Sequence, residues 1–148
     1  MVSHSAGENW NAFSPKSLVI LVNFSDVKFK SSTATQDFID LLNKYNYTNN
    51  GGTGSARDYF RNASNGVFEP DFVVVGPYDL PENMKYYGEE DKEKNSHDKR
   101  PGNLIVDACA AADKDVDFNE FDVNGDGYVD NIFVYYAGHN QAEGGGTN

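Results

Sequence analysis

Basic residues, cysteine and long apolar runs are all scarce in this sequence. Lys and Arg together number 12 against 23 Asp and Glu, which gives a net charge of −11. Nucleic acids and anionic membrane surfaces are bound by clustered basic side chains, so the composition argues against both kinds of partner. No apolar run approaches the roughly 20 residues of a membrane span. The excess of acid is compatible with a cation as partner, and equally with simple solubility.

The single cysteine, Cys109, excludes an internal disulfide and leaves the cellular compartment undecided. The segment Met1–Gly7 lacks the charged-then-apolar pattern of a signal peptide, which fits a cytoplasmic protein or one whose signal has been removed. We predict that residues 1–15 are a polar lead-in and that residues 16–148 are domain sequence. The glycine-rich end, Glu143–Asn148, carries no stop signal, and we expect the natural chain to continue.

Short runs of branched and aromatic residues predict three β-strands. The hydrophobic share of 39% and the aromatic share of 14% are sufficient for a packed core. Ser17–Phe24 is a continuous apolar run, typical of a strand buried on both faces. Val67–Val75 and Ile132–Tyr136 resume strand character, and Pro77 is expected to break the pattern after the first of these two.

Between these strands, apolar residues at helical spacing predict about three packing helices. The first covers roughly 35–45, behind Thr33 and Gln36 at the spacing of a capping box. The third follows Gly102, and the charge run Glu89–Arg100 before it is predicted to be a solvated loop. Strands separated by helices indicate an α/β fold with a mainly parallel or mixed sheet.

The second helix carries clear start and stop signals. Ser55 and Asp58 stand three residues apart, as N-terminal capping requires, and Gly66 is placed to end the helix. Tyr59 and Phe60 are expected to face the core from this helix.

The most specific pattern in the chain is an acidic loop before the last strand. Oxygen ligands at alternate positions let a tight loop wrap one cation, and Ca²⁺ accepts about 6–8 oxygens. Gly127 falls at the sixth loop position, where a sharp turn favours glycine. The candidate calcium ligands are Asp122, Asn124, Asp126, Tyr128 (through its backbone carbonyl) and Asp130.

The twelfth loop position departs from a helix–loop–helix calcium site. That position would hold a bidentate Glu, but here it is Phe133, within an apolar strand. A helix–loop–helix regulator is therefore rejected, and a further ligand must come from Asp117, Glu120 or water. We predict a structural calcium ion that neutralises like charges and fastens the start of the last strand; the alternative is an Asp/Asn/Gly-rich turn without metal.

The remaining reactive side chains form no recognisable site. His139 follows the last strand directly, a position suited to catalysis or ligation but also ordinary for a loop histidine. A strand ending in Gly-His also occurs in cysteine peptidases of the caspase and gingipain type, although Asn140 follows here. Cys109 lies among alanines in the third helix, where a small thiol packs. His4 and His97 have no partner at metal-ligand spacing.

Four segments together resemble the immune inhibitor A family of secreted bacterial zinc metallopeptidases. Their order and spacing also resemble that family, and they cover most of residues 16–138. The segments are Lys16–Asp26, Gly54–Phe60, Ser64–Phe72, and Phe121–Asn131 with the strand that follows it to Gly138.

The resemblance implies a zincin-like upper subdomain, so that 16–148 is the N-terminal part of a metallopeptidase catalytic domain. In such domains a helix bearing H-E-x-x-H supplies two zinc ligands and a general base. That motif is absent from these 148 residues. Zinc and the hydrolysis of a protein or peptide substrate are therefore expected only in a longer parent protein, and this chain alone is predicted to be inactive. The resemblance further implies a secreted or cell-surface location, and a split domain is expected to self-associate.

Two other functions remain compatible with the sequence. One is a calcium-stabilised extracellular binding or adhesion module that never had an active site. The other is a caspase-like cysteine peptidase whose nucleophile lies farther along the chain.

Overall fold

A computed structural model describes residues 13–91, 97–100 and 102–138. The strands are β1 (Lys16–Asn23), β2 (Asp71–Asp79), β3 (Glu90–Asp91), β4 (His97–Asp98) and β5 (Ile132–Tyr136). The helices are α1 (Ala34–Asn43), α2 (Ala56–Ala63), α3 (Met84–Tyr87) and α4 (Asn103–Ala112). Short 3₁₀ turns occupy Asn49–Gly51 and Phe118–Phe121.

The main sheet has three strands in the order β2-β1-β5, and both pairs are parallel. Val19 in β1 lies beside Val74 of β2 and Phe133 of β5, so β1 is the central strand. The helices lie in the connections between these strands, as parallel pairing requires. The predicted α/β class is confirmed, and the sheet is wholly parallel in the part of the chain that is described.

Strand β1 is buried on both faces, as its continuous apolar run predicts. Leu18, Ile20 and Val22 belong to a core that also holds α4 residues. Val19 and Leu21 face the opposite way, into a second core that includes Leu42 of α1. All five side chains are fully shielded from solvent. The sheet therefore lies between two apolar layers. The acidic loop leads directly into β5, the last strand of this sheet.

The prediction that Pro77 breaks the second strand is wrong. Strand β2 continues to Asp79, and the register shifts where Gly76 and Pro77 face Leu21 of β1. Gly76 has φ +95°, and a Cβ there would stand 2.4 Å from the Leu21 carbonyl oxygen. Proline is tolerated because β2 lies at an edge of the described sheet, where a missing N–H donor costs little.

The helix predictions are confirmed in position and corrected in detail. The Thr33 side chain does not cap α1; its hydroxyl donates instead to Asp37. Tyr59 and Phe60 do not face the core: their side chains are 69% and 37% exposed. Helix α2 packs beside α1 at the edge of the molecule, so only part of its surface meets a neighbour.

The charge run is only partly a loop. Strands β3 and β4 pair there as a short antiparallel ladder, with Glu90 opposite Asp98. Glu89, just before β3, is held by Arg100, and this contact lowers the pKa of the Glu89 carboxyl.

Candidate metal centre

The acidic loop joins the 3₁₀ turn at Phe118–Phe121 to β5. Phe121 is buried, and its carbonyl accepts a hydrogen bond from the Asp130 N–H at 3.1 Å. Val129 packs against the core near the far end of the loop. The residues between these anchors, Val123 to Tyr128, are exposed. The loop is thus fixed at both ends and projects into solvent in between.

The Asp122 carboxylate lies at the centre of the loop. Its Oδ1 accepts from the N–H groups of Gly125 at 2.7 Å and Asp126 at 3.1 Å, and its Oδ2 accepts from Gly127 at 2.8 Å. Gly125 and Gly127 adopt φ +75° and +88°, the left-handed region that glycine enters without steric cost. These two glycines let the backbone turn around the carboxylate of the first loop position.

The other acidic and amide side chains of the loop also accept hydrogen bonds from N–H groups of the loop itself. Asn124 Oδ1 accepts from Asp126 N–H at 2.9 Å, and Asp126 Oδ1 accepts from Tyr128 N–H at 2.9 Å. Asp130 closes the loop, because its carboxylate accepts from Val123 N–H at 2.6 Å and from the Asn124 amide at 3.1 Å. The structure therefore brings all five predicted residues into one hydrogen-bonded turn.

Several oxygens of this turn keep unused lone pairs. Within the described residues, neither Asp126 Oδ2 nor the Tyr128 carbonyl accepts a hydrogen bond. Each carboxylate oxygen has two lone pairs, so Asp122 Oδ2 and both carboxylate oxygens of Asp130, which accept one hydrogen bond each, are not saturated either. Oxygens of this kind, carboxylate and carbonyl, are the ligands that Ca²⁺ prefers.

Among the described residues, no basic side chain forms an ion pair with the loop. In the described portions of the chain, none of the ion pairs involves Asp122, Asp126 or Asp130. Three carboxylates within nine residues therefore repel one another without a cationic partner, and a bound cation would relieve that repulsion.

The two extra ligands considered from the sequence are engaged elsewhere. Glu120 forms an ion pair with Lys16 at the start of β1, and this contact raises the pKa of the Lys16 ammonium. Asp117 Oδ1 accepts from the backbone and side-chain N–H groups of Asn119. Across residues 13–91, 97–100 and 102–138, no group of three or more His, Cys, Asp or Glu side chains converges as a metal cluster. The loop is thus a folded turn whose carboxylates do not converge on a single point.

The candidate nucleophile takes no part in this site, and the histidine side chains lie outside the described residues. Cys109 is half-buried on α4, and burial raises the pKa of its thiol, the opposite of what a nucleophile needs. His139 and His4 lie outside the described residues, and so does the side chain of His97.

A family model for the immune inhibitor A peptidase M6 catalytic domain matches residues 5–148. The chain belongs to the immune inhibitor A peptidase M6 family. The match spans both parallel strand pairs and the acidic loop, so it covers the elements on which the resemblance was based. Among curated proteins, none matches this chain.

Membership of the M6 family establishes a metallopeptidase-type domain and argues against the cysteine-peptidase alternative. Within the described residues, no helix combines the length and apolar character needed to cross a membrane. The H-E-x-x-H motif that would carry zinc is absent from the sequence.

Proposed function

We propose that this chain is the N-terminal part of a secreted zinc metalloendopeptidase domain that is held together by a structural calcium ion. The observation that carries the proposal is the M6 catalytic-domain match over residues 5–148. The chain supplies the parallel sheet and its packing helices. Zinc and peptide-bond hydrolysis belong to the longer parent protein, and no hydrolytic step is assigned to residues of this chain.

Calcium is proposed for the loop on the strength of its oxygen donors. Asp122, Asn124 and Asp126 would bind through side-chain oxygens, Tyr128 through its carbonyl, and Asp130 through its carboxylate. The ion would offset the repulsion among three aspartates that lack a basic partner. Because Asp130 lies two residues before β5, binding there would stabilise the start of the strand that completes the sheet.

The catalytic part of the proposal is tested by an activity assay on the 148-residue chain and on the longer natural protein. With zinc and calcium present, we expect no cleavage of an unfolded protein substrate by the chain. The longer protein is expected to cleave it and to lose activity with a zinc chelator, because a zinc-bound water is the attacking group in such enzymes. Chelator-sensitive proteolysis by the purified 148-residue chain would contradict the proposal that the active site is formed by residues of the longer parent protein.

An inactive longer protein would point to a different function. A natural protein that continues without a metal-binding motif and cleaves nothing would favour a calcium-stabilised extracellular binding module. In that case the calcium loop would remain, and only the catalytic proposal would be withdrawn.

A further inference from the structure

A surface cleft of about 310 Å³ opens beside the first two turns of α2. It is lined by the loop Thr53–Ser55 and by Asp58, Tyr59, Asn62 and Ala63. The volume lies at the lower end of the range found for small-molecule sites, which suits a ligand of one small ring. Neither the calcium loop nor the main sheet contributes to this cleft.

The cleft combines one exposed aromatic face with free polar groups. The Tyr59 ring is 69% exposed, although it is braced by an edge contact with Phe60 at a centroid distance of 5.5 Å. Thr53 and Asn62 are exposed as well. Within the described residues, the hydroxyls of Thr53 and Tyr59 and the Asn62 amide have no hydrogen-bond partner. A ligand there meets a flat apolar surface beside unused donors and acceptors.

Among the described residues, the cleft carries one negative charge and its neighbouring arginines are already paired. Asp58 is the only charged lining residue, and its Oδ2 accepts from the N–H groups of Asn46 at 2.7 Å and Ser55 at 2.9 Å. On the same helix, Arg57 pairs with Asp71 and Arg61 pairs with Glu69. On a chain of net charge −11, this arrangement disfavours an anionic ligand, and the N–H donors on Asp58 leave its carboxylate less available to a cationic one.

We propose that this cleft is a binding site for one neutral sugar residue. A pyranose ring has an apolar C–H face that stacks on an aromatic ring and a rim of hydroxyls that hydrogen-bond. Tyr59 offers the stacking face, and Thr53 and Asn62 offer the rim contacts. A purely apolar ligand would leave those two polar groups without partners, which lowers affinity. An anionic ligand would find no free counter-charge in the cleft.

The test is a titration of the ¹⁵N-labelled 148-residue chain, followed by amide chemical shifts. The probes are the methyl glycosides of glucose, galactose, mannose and N-acetylglucosamine, with the acidic sugar N-acetylneuraminic acid for comparison. We expect at least one neutral glycoside to give saturable shifts at Thr53, Tyr59 and Asn62, and the acidic sugar to give none there. A dissociation constant in the millimolar range is expected, because the contacts are limited to one stacked ring and a few solvent-exposed hydrogen bonds.

Variants separate stacking from a general effect on the fold. Tyr59→Ala should weaken binding about tenfold, whereas Tyr59→Phe, which keeps the ring, should change it much less. Val106→Ala is the matched control, because Val106 is 65% exposed on a different helix. All three changes are at exposed helical positions, and circular dichroism would verify that each variant folds. Absence of saturable shifts with every neutral glycoside, or unchanged binding by Tyr59→Ala, would overturn the proposal.

Discussion

Two tyrosines hold α4 and the turn that follows it to the rest of the molecule through carboxylates. Tyr78 at the end of β2 donates to Asp115 at 2.9 Å, and Tyr87 of α3 donates to Asp107 at 2.7 Å. Burial, followed by these hydrogen bonds, raises the pKa of Tyr78 to about 12 and raises that of Tyr87 as well. Loss of either phenolic proton would place a second negative charge against an aspartate.

The alkaline behaviour of Tyr78 follows from the direction of this shift. Because its folded pKa lies above the ordinary value of 10.0, its contribution to stability is complete below about pH 10 and is lost as pH rises toward 12. We expect Asp115→Asn to lower the pKa of one tyrosine in an absorbance titration at alkaline pH, since the charge and acceptor at Asp115 both favour the protonated phenol. Asp113→Asn, an exposed neighbour, is the control.

The outcome for Tyr78 is decided by comparing three titrations. The hydrogen bond between Tyr78 and Asp115 is supported if one tyrosine ionises at lower pH in Asp115→Asn and not in Asp113→Asn. Identical curves for wild type and both variants would show that Asp115 does not govern Tyr78 in solution.

At the scale of elements, patterns set by local chemistry were predicted correctly. The last strand was predicted at Ile132–Tyr136 and is found there, and Ser55 and Asp58 form the capping box of α2. The burial of β1 on both faces also follows from its sequence alone. These features depend on residues close together in the chain, so the sequence contains their causes.

Features that depend on distant neighbours were missed. Tyr59 lies on the exposed side of α2, because that helix packs beside α1 at the molecular edge and not over the sheet. Pro77 stays within β2 because β1 pairs with only one side of that strand. In the acidic loop the spacing of the sequence predicts candidate ligands, but the closure by Asp130 onto Val123 appears only in three dimensions.

Strand β5 leaves an apolar edge that we expect to drive self-association. In the described sheet it pairs only with β1, and its Phe133 and Tyr135 side chains are 42% and 39% exposed. An open edge with aromatic side chains is a template for pairing with another chain. We expect sedimentation of the chain to show association that rises with concentration, and Phe133→Lys to weaken it, because a charged side chain protects an edge.

A control distinguishes this edge from other exposed apolar residues. Val106→Lys places the same charge on exposed α4 and should leave association unchanged. A wild-type chain that stays monomeric at high concentration would contradict the expectation.

At the scale of the whole molecule, the acidic loop connects the charge of the chain to its fold. Strand β5 completes the sheet and begins just after Asp130. The loop before it holds three aspartates that have no basic partner in the part of the chain that the structure describes. A cation there would therefore stabilise the whole domain and not only the loop. The M6 match places the chain in a family of catalytic domains, and a calcium ion is our proposed reason that this acidic chain remains folded.

Thermal unfolding of the chain in calcium and in chelator tests the central claim most directly. If Ca²⁺ binds only the native state, a free Ca²⁺ concentration about 100 times the dissociation constant stabilises the fold by roughly 2.7 kcal/mol. The melting temperature of the chain then rises. Asp126→Ala should abolish that rise, because Asp126 is a proposed ligand, whereas Asp113→Ala should retain it. Identical melting of the wild-type chain in calcium and in chelator would contradict the calcium assignment.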